Sequence, residues 1–215
     1  MIMRDNLLPI TGIGSLPHTS IQEAIDFSLK FDIPFLPELT KLEDSEKIKS
    51  IHELLCFPKF IEQIGDTQKF KTQSFHQLEN NINENQIHFI DDPKKLFTGK
   101  NKIGLHCCNS IEISKLEKLE ITHLSFDAHL INNPDEFLSF LIKKKITPVI
   151  GVISTHRGRI EICENFSKWK TPLRNYVMDC WLAPACGLAG FTEEDAVHAL
   201  DLLRSIQREI TISHL

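Results

Sequence analysis

Residues 146–153 read ITPVIGVI, a run that is apolar at almost every position. A half-exposed strand alternates apolar and polar residues, whereas a strand covered on both faces is apolar throughout. This stretch therefore predicts a strand of a parallel sheet that is covered on both faces. Similar short runs bounded by turn residues predict other strands; the full set is 9–13, 33–36, about 68–72, 86–90, 102–107, 121–126, 146–153 and 177–183.

Three amphipathic segments alternate with these runs and predict helices. The first opens with Ser20 and Glu23 in the spacing of a capping box. The second has Asn133 as its cap and Pro134 in its first turn, and the third begins at Thr192. Strands that alternate with helices in a chain of 215 residues favour a (β/α)8 TIM barrel, an α/β fold.

The barrel is expected to form one domain over residues 1–215, because no repeat or linker divides the chain. Residues 41–101 contain the polar, Asn-rich stretch QLENNINENQ, which is typical of a loop. We therefore expect a compact barrel that is abbreviated around its third and fourth strands.

Composition narrows the class of protein. The formal net charge is −5, and lysines are interleaved with acidic residues, so no basic patch marks a nucleic-acid binder. No run approaches the roughly 20 apolar residues that span a bilayer, and the first residues do not resemble a signal peptide. We expect a cytoplasmic protein that binds neither nucleic acid nor membrane, in which the six cysteines are thiols or metal ligands rather than disulfide partners.

The stretch GLHCCN ends the predicted strand over 102–107. Successive side chains of a strand point to opposite faces, so His106 and Cys108 point one way and Cys107 the other. The first two residues can share a metal ion. Cys107 is expected to pack against the interior.

Further candidate ligands follow other predicted strands. Asp127 follows LSF, His156 follows GVIST and Cys186 follows WLAPA. The carboxyl ends of barrel strands share one face, where active sites are built. A histidine, two cysteines and a carboxylate form a tetrahedral zinc set. The sequence therefore predicts a zinc site from four residues: His106, Cys108, Asp127 and Cys186.

Each candidate also has an ordinary structural interpretation. Free cysteines such as Cys108 and Cys186 are often buried in a core. Asp127 is of the type that caps turns, and His156 suits an exposed loop. The residues alone leave these alternatives open.

Several motifs together resemble a known family, the catalytic domain of cobalamin-independent methionine synthase and its short relatives. They lie in the family's order and cover most of the chain outside 41–85. The resemblance implies a barrel related to uroporphyrinogen decarboxylase, in which bound zinc activates homocysteine for methyl transfer. The motifs are GIGSLPHT at 12–19, IPFLPEL at 33–39, FIDDP at 89–93, GLHCCN at 104–109, LSFDA at 124–128 and LAPACGLAGFTEEDA at 182–196.

By this resemblance the zinc ligands are His106, Cys108 and Cys186. Asp127 stands where the family has its glutamate ligand, so a shorter acid replaces it. His156 matches the family's proposed proton donor after the seventh strand, although the surrounding THRGR departs from the family's pattern.

The resemblance also implies a place for an amino-acid substrate. Gly14 and Ser15 match the turn that contacts the substrate carboxylate, and Asp91 matches the acid that binds its amine. The same positions also suit plain turns.

The function implied is a zinc-dependent thiol methyltransferase of methionine biosynthesis that acts on homocysteine or a similar thiol. No stretch matches the family's folate-binding N-terminal domain, so a folate and a methylated corrinoid protein both stay open as methyl donors. Two alternatives are a methyltransferase linked to a corrinoid protein, and a non-catalytic metal-binding descendant that lost its pocket when residues 41–101 shrank.

Overall fold

The computed structural model describes residues 8–37, 39–41, 53–56, 87–90, 102–109, 111 and 113–212. Within them, no helix has the length and apolar character that crossing a bilayer requires. The helices are α1 (Ile21–Ser28), α2 (Ile113–Leu116), α3 (Pro134–Lys143), α4 (Lys170–Asn175) and α5 (Glu193–Ile212). The strands are β1 (Phe35–Leu36), β2 (Glu53–Cys56), β3 (Ile87–Ile90), β4 (Lys102–Cys107), β5 (His123–Asp127), β6 (Thr147–Ser154), β7 (Glu161–Ile162) and β8 (Trp181–Pro184).

The strands form a mostly parallel sheet. Strands β3, β4, β5 and β6 pair in parallel in that order, and β8 pairs in parallel with the other side of β6. Two strands, β1 and β2, extend the sheet beyond β3 in antiparallel pairs. The α/β class predicted from the sequence is confirmed, and β6 pairs in parallel with a strand on each side, β5 and β8.

A closed (β/α)8 barrel, which the sequence predicts, is not shown. The sheet is open at its named strands, although isolated parallel bridges join Ile10 to Leu182 and Thr11 to Ile33. The antiparallel direction of β2 departs from an all-parallel plan. Two short strands, β2 and β7, were not predicted from the sequence, and β7 turns back against the end of β6. The strand predicted at about 68–72 lies outside the described residues.

The three predicted helices, α1, α3 and α5, begin where the sequence predicts. Ser20 Oγ accepts a hydrogen bond from the backbone of the first turn of α1, and Asn133 Oδ1 does the same for α3. At α5 the caps are reciprocal, because Asp195 N donates to Thr192 Oγ1 at 3.1 Å and Thr192 N donates to Asp195 Oδ2 at 3.0 Å. Each cap satisfies amide groups that a helix end leaves without a partner.

The core lies between the sheet and the helices. Strand β5 is buried at every position, and Trp169 packs its ring near Phe126 at a centroid distance of 6.0 Å. The indole nitrogen of Trp169 donates to Ala128 O at 3.2 Å, so its polar edge is also satisfied. Cys163 and Cys180 are buried as well.

A polar contact joins the N-terminal segment to α5. The carboxylate of Asp32 accepts from Ile10 N at 3.0 Å, from Arg204 Nη1 at 2.5 Å and from Gln207 Nε2 at 2.7 Å. These bonds join Ile10 and Asp32 to α5.

Candidate metal centre

Three predicted ligands meet at the carboxyl end of the parallel strands. His106 is the second-last residue of β4, Cys108 follows β4, and Cys186 follows β8. His106 Nε2 is 3.0 Å from Cys108 Sγ, and Cys108 Sγ is 3.9 Å from Cys186 Sγ. One ligand atom from each of the three residues lies within 4.8 Å of the others.

The donor set and its spacing fit a tetrahedral cation. Two thiolates at about 2.3 Å from zinc, at a tetrahedral angle, stand about 3.8 Å apart. The sulfur atoms of Cys108 and Cys186 are 3.9 Å apart, close to that edge. The 3.0 Å contact between His106 and Cys108 would widen by about 0.5 Å on binding. Side-chain adjustment at two strand ends can supply this change.

Cys108 and Cys186 converge although the strands that they follow are not neighbours in the sheet. Strands β4 and β8 are separated by β5 and β6, so three interstrand spacings lie between them. In a flat sheet that separation is about 14 Å. The sulfur atoms of Cys108 and Cys186 nevertheless approach to 3.9 Å. Curvature of the sheet and the residues that follow each strand together bring them to one point.

A buried serine on the neighbouring strand orients His106. Ser125 Oγ lies 2.9 Å from His106 Nδ1, and the two residues are paired in register between β4 and β5. With Nδ1 engaged, Nε2 is the nitrogen that faces Cys108. Metal-binding histidines commonly have such a partner, which fixes the ring. Ser125 was not among the predicted site residues, although a polar residue inside the apolar strand HLSFD was a signal for it.

Cys186, in the cluster, and Cys163, in the interior, differ in pKa. Hydrogen bonds, from the Cys108 thiol first and from His106 second, lower the pKa of Cys186 to about 4. Burial raises the pKa of Cys163 to about 12, and the nearby charge of Asp127 acts in the same direction. The lowered pKa favours the thiolate form of Cys186, the form that binds metals, whereas the raised pKa favours the thiol form of Cys163.

Asp127, the fourth predicted ligand, pairs with His156. Its Oδ2 is 2.7 Å from His156 Nε2, and its Oδ1 accepts from His129 N at 2.8 Å. The carboxylate is 3% exposed and the imidazole 59%. Among the described residues, the cluster of candidate ligands does not include Asp127. Asp91, the predicted amine-binding acid, lies outside the described residues.

A cavity of about 460 Å³ lies beside the pair. It opens between the end of β6 and the segment that forms β7. The segment after β8 connects this region to the cysteine cluster. Ala185, one residue before Cys186, donates its N–H to Ile153 O of β6 at 2.8 Å. The residues lining the cavity are His129, Ser154, His156, Arg159, Glu161, Cys163 and Glu164.

The predicted carboxylate-binding turn packs against Gly187, the residue after Cys186. Gly14 has φ of 73°, a left-handed conformation that glycine adopts without strain. A Cβ atom on Gly187 would lie 2.5 Å from Ser15 Oγ, and Leu188 N donates to Ser15 O at 2.6 Å. The turn therefore lies directly beside the residue that follows Cys186.

Similarity to known proteins is found at the level of structure. No family model matches the chain, and no curated protein matches it. Among solved structures, the chain is similar to a B12-independent methionine synthase from Shewanella sp. W3-18-1, in complex with selenomethionine, at 15% identity and a TM-score of 0.48. The match covers 64% of this chain and 51% of that chain, so this chain spans about half the length of that protein.

Proposed function

We propose that this protein is a zinc-dependent thiol methyltransferase that resembles cobalamin-independent methionine synthase and uses homocysteine or a similar thiol as acceptor. The observation that carries the proposal is the convergence of His106, Cys108 and Cys186 within 4.8 Å. An imidazole and two thiolates are the donors that zinc prefers, and they lie at the end of a parallel sheet, where such folds place their chemistry.

The residues of the cluster have distinct roles. His106, Cys108 and Cys186 would hold the ion, and Ser125 keeps Nε2 of the imidazole turned towards it. When bound, zinc would keep the sulfur of a substrate thiol in its nucleophilic thiolate form. Both cysteines are exposed, so a small thiol can reach the cluster from solvent.

Neighbouring residues would position the two substrates. The turn at Gly14 and Ser15 lies against Gly187, which supports its proposed role in binding the carboxylate of an amino-acid thiol. Asp91 is proposed to bind the amine of that substrate. His156 borders the cavity of about 460 Å³ and is proposed to supply a proton to the donor as its methyl group leaves.

A closed single-domain barrel over residues 1–215 is the fold that we propose for this chemistry. The parallel bridges from Leu182 to Ile10 and from Thr11 to Ile33 support it, because they run from β8 towards the segment that enters β1. A strand at the N-terminal segment would join the two sides of the sheet. We further propose that the protein acts in the cytoplasm, where its thiols stay reduced.

X-ray absorption at the zinc edge tests the function. The zinc-loaded protein should show two sulfur ligands, and addition of homocysteine should add a third. Serine at the same concentration is the control, since it lacks the sulfur and should leave the spectrum unchanged. Bound zinc with no added sulfur would instead identify a metal-binding protein without thiol activation, and no bound zinc would refute the proposal.

The methyl donor is tested separately. Formation of methionine from homocysteine is measured with a methylated folate in one series and with a methylated corrinoid protein in another. Product in only one series identifies the donor class. A Cys186→Ser variant gives the background rate in both series.

A further inference from the structure

We propose that Asp127 is the positioning residue of His156 and not a fourth metal ligand. The metal would then have three protein ligands, His106, Cys108 and Cys186, and a position left for an exogenous thiol. This inference rests on the proposed function for the identity of the metal, but its geometric part concerns the pair alone. It separates two groups of residues that the sequence pattern assigned to a single site.

Both oxygen atoms of the Asp127 carboxylate are already engaged. Oδ2 is 2.7 Å from His156 Nε2, and Oδ1 accepts from His129 N at 2.8 Å. The second bond caps the 3-10 turn Ala128–Leu130 that follows β5. Rotation of the carboxylate towards the cysteines would break both bonds and leave a backbone amide without its partner. The turn therefore fixes the direction in which Asp127 points.

The cluster itself is assembled without Asp127. Ligand atoms of His106, Cys108 and Cys186 lie within 4.8 Å of one another, and the described carboxylates are not part of that group. Catalytic zinc sites typically use three protein ligands and keep the fourth position for water or substrate. A three-ligand site is thus complete for a reaction in which the acceptor sulfur binds the metal.

The pair also has a consequence for the histidine. A carboxylate only accepts hydrogen bonds, so Nε2 of His156 carries the hydrogen of this contact. Nδ1 is then the ring nitrogen available to a molecule in the cavity, and no described residue bonds to it. Because the imidazole is 59% exposed, its own packing does not fix its rotation. Asp127, 3% exposed, supplies the rigid contact that does so.

Two measurements on Asp127→Ala and Asp127→Asn separate the roles. Zinc affinity, from competition with a chromophoric chelator, should change less than about 3-fold, because metal ligands and the partners of those ligands carry the large effects. Cys186→Ser is the positive control and should weaken binding by about 100-fold or more. An affinity loss in Asp127→Ala that equals the loss in Cys186→Ser would overturn the proposal.

Nitrogen-15 NMR of the histidine rings supplies the readout for the pair, with His156→Gln used to assign the signals. In the wild-type protein His156 should be a single Nε2–H tautomer, with and without zinc. Asp127→Ala should give a mixture of tautomers, and Asp127→Asn, which keeps an accepting oxygen, should give an intermediate spectrum. A mixed tautomer in the wild type, or no change in Asp127→Ala, contradicts the pairing even when a variant folds poorly.

These results also distinguish the two proposals. If the protein binds no zinc, the proposed function fails while the tautomer measurement on metal-free protein still tests the pair. If zinc binds and recruits a thiol but the tautomer is not fixed, the proposed function stands and the inference about Asp127 fails.

Discussion

Two histidines lie at the carboxyl end of the parallel strands, the rim of the sheet, and their rings are held by different kinds of partner. His106 is 6% exposed, with Nδ1 at 2.9 Å from the hydroxyl of Ser125 and Nε2 facing Cys108. His156 is 59% exposed, with Nε2 at 2.7 Å from the carboxylate of Asp127. A hydroxyl brings no charge to a buried ring, which suits a metal ligand, whereas a carboxylate beside an exposed ring suits proton exchange. The partner on the neighbouring strand, rather than the histidine, decides what each ring can do.

The largest expected effect breaks the cluster around His106. Cys186→Ser should weaken zinc binding by about 100-fold to 1000-fold, since one of three ligands is a large share of a binding free energy of about 10–16 kcal/mol. Chelator competition measures the loss. Cys107→Ser is the matched control, because Cys107 lies next to a ligand but packs against the core. The zinc affinity of this variant should stay close to that of the wild type. Equal losses in the two variants would place the metal elsewhere.

The pH dependence of alkylation tests the lowered pKa of Cys186 at the rim. The pKa of Cys186 is lowered from 9.0 to about 4, so its reactive thiolate persists as the pH falls until the pH nears 4. In metal-free protein, the fast phase of iodoacetamide labelling should slow less than about 2-fold between pH 8 and pH 6, whereas an ordinary cysteine slows by roughly 100-fold. Cys186→Ser should remove this phase. A 100-fold slowing in the wild type would contradict the lowered pKa.

Removal of the hydroxyl that holds His106 should have an intermediate effect. Ser125→Ala leaves the ring free to turn, and such changes typically weaken metal binding by about 10-fold to 100-fold. The control is Ser154→Ala, at the end of β6, where the hydroxyl accepts from His156 N at 3.3 Å. That variant should keep the affinity of the wild type. If Ser125→Ala also keeps it, the comparison between the two rings fails.

The smallest effect tests whether the N-terminal turn positions Cys186. Gly187→Ala would place a Cβ atom 2.5 Å from Ser15 Oγ, so the turn must shift. Overpacking of this kind costs about 1–3 kcal/mol of unfolding free energy. We expect this loss in urea denaturation and a few-fold weaker zinc binding. Gly190→Ala is matched, because a Cβ there meets no atom within 4 Å, and it should be close to neutral.

Much of the metal centre at the rim could be predicted, because the face on which a side chain lies follows from its position along a strand. Alternation along β4 put His106 and Cys108 on one face, and the parallel arrangement brought the end of β8 to the same edge. The apolar run of β6 indicated a strand that is covered on both faces, and all but its two end residues are buried. Helix caps depend on a few adjacent residues, so the starts of α1, α3 and α5 were also predictable.

The rest depends on contacts between strands that a sequence pattern does not contain. Asp127 pairs with His156 because β5 and β6 lie in register and a turn after β6 carries the imidazole back over the rim. An acid at a strand end is equally compatible with a metal ion or a histidine. The hairpin partner β7 is only two residues long, too short for a periodic signal.

The approach of Cys108 and Cys186 has a consequence for the life of the polypeptide. The two sulfurs are 78 positions apart in the chain and 3.9 Å apart in space. A nascent chain on the ribosome presents His106 and Cys108 long before Cys186 has been synthesised. The complete cluster can therefore take up a metal ion only after Cys186 has been synthesised, and until then its exposed cysteines stay open to oxidation.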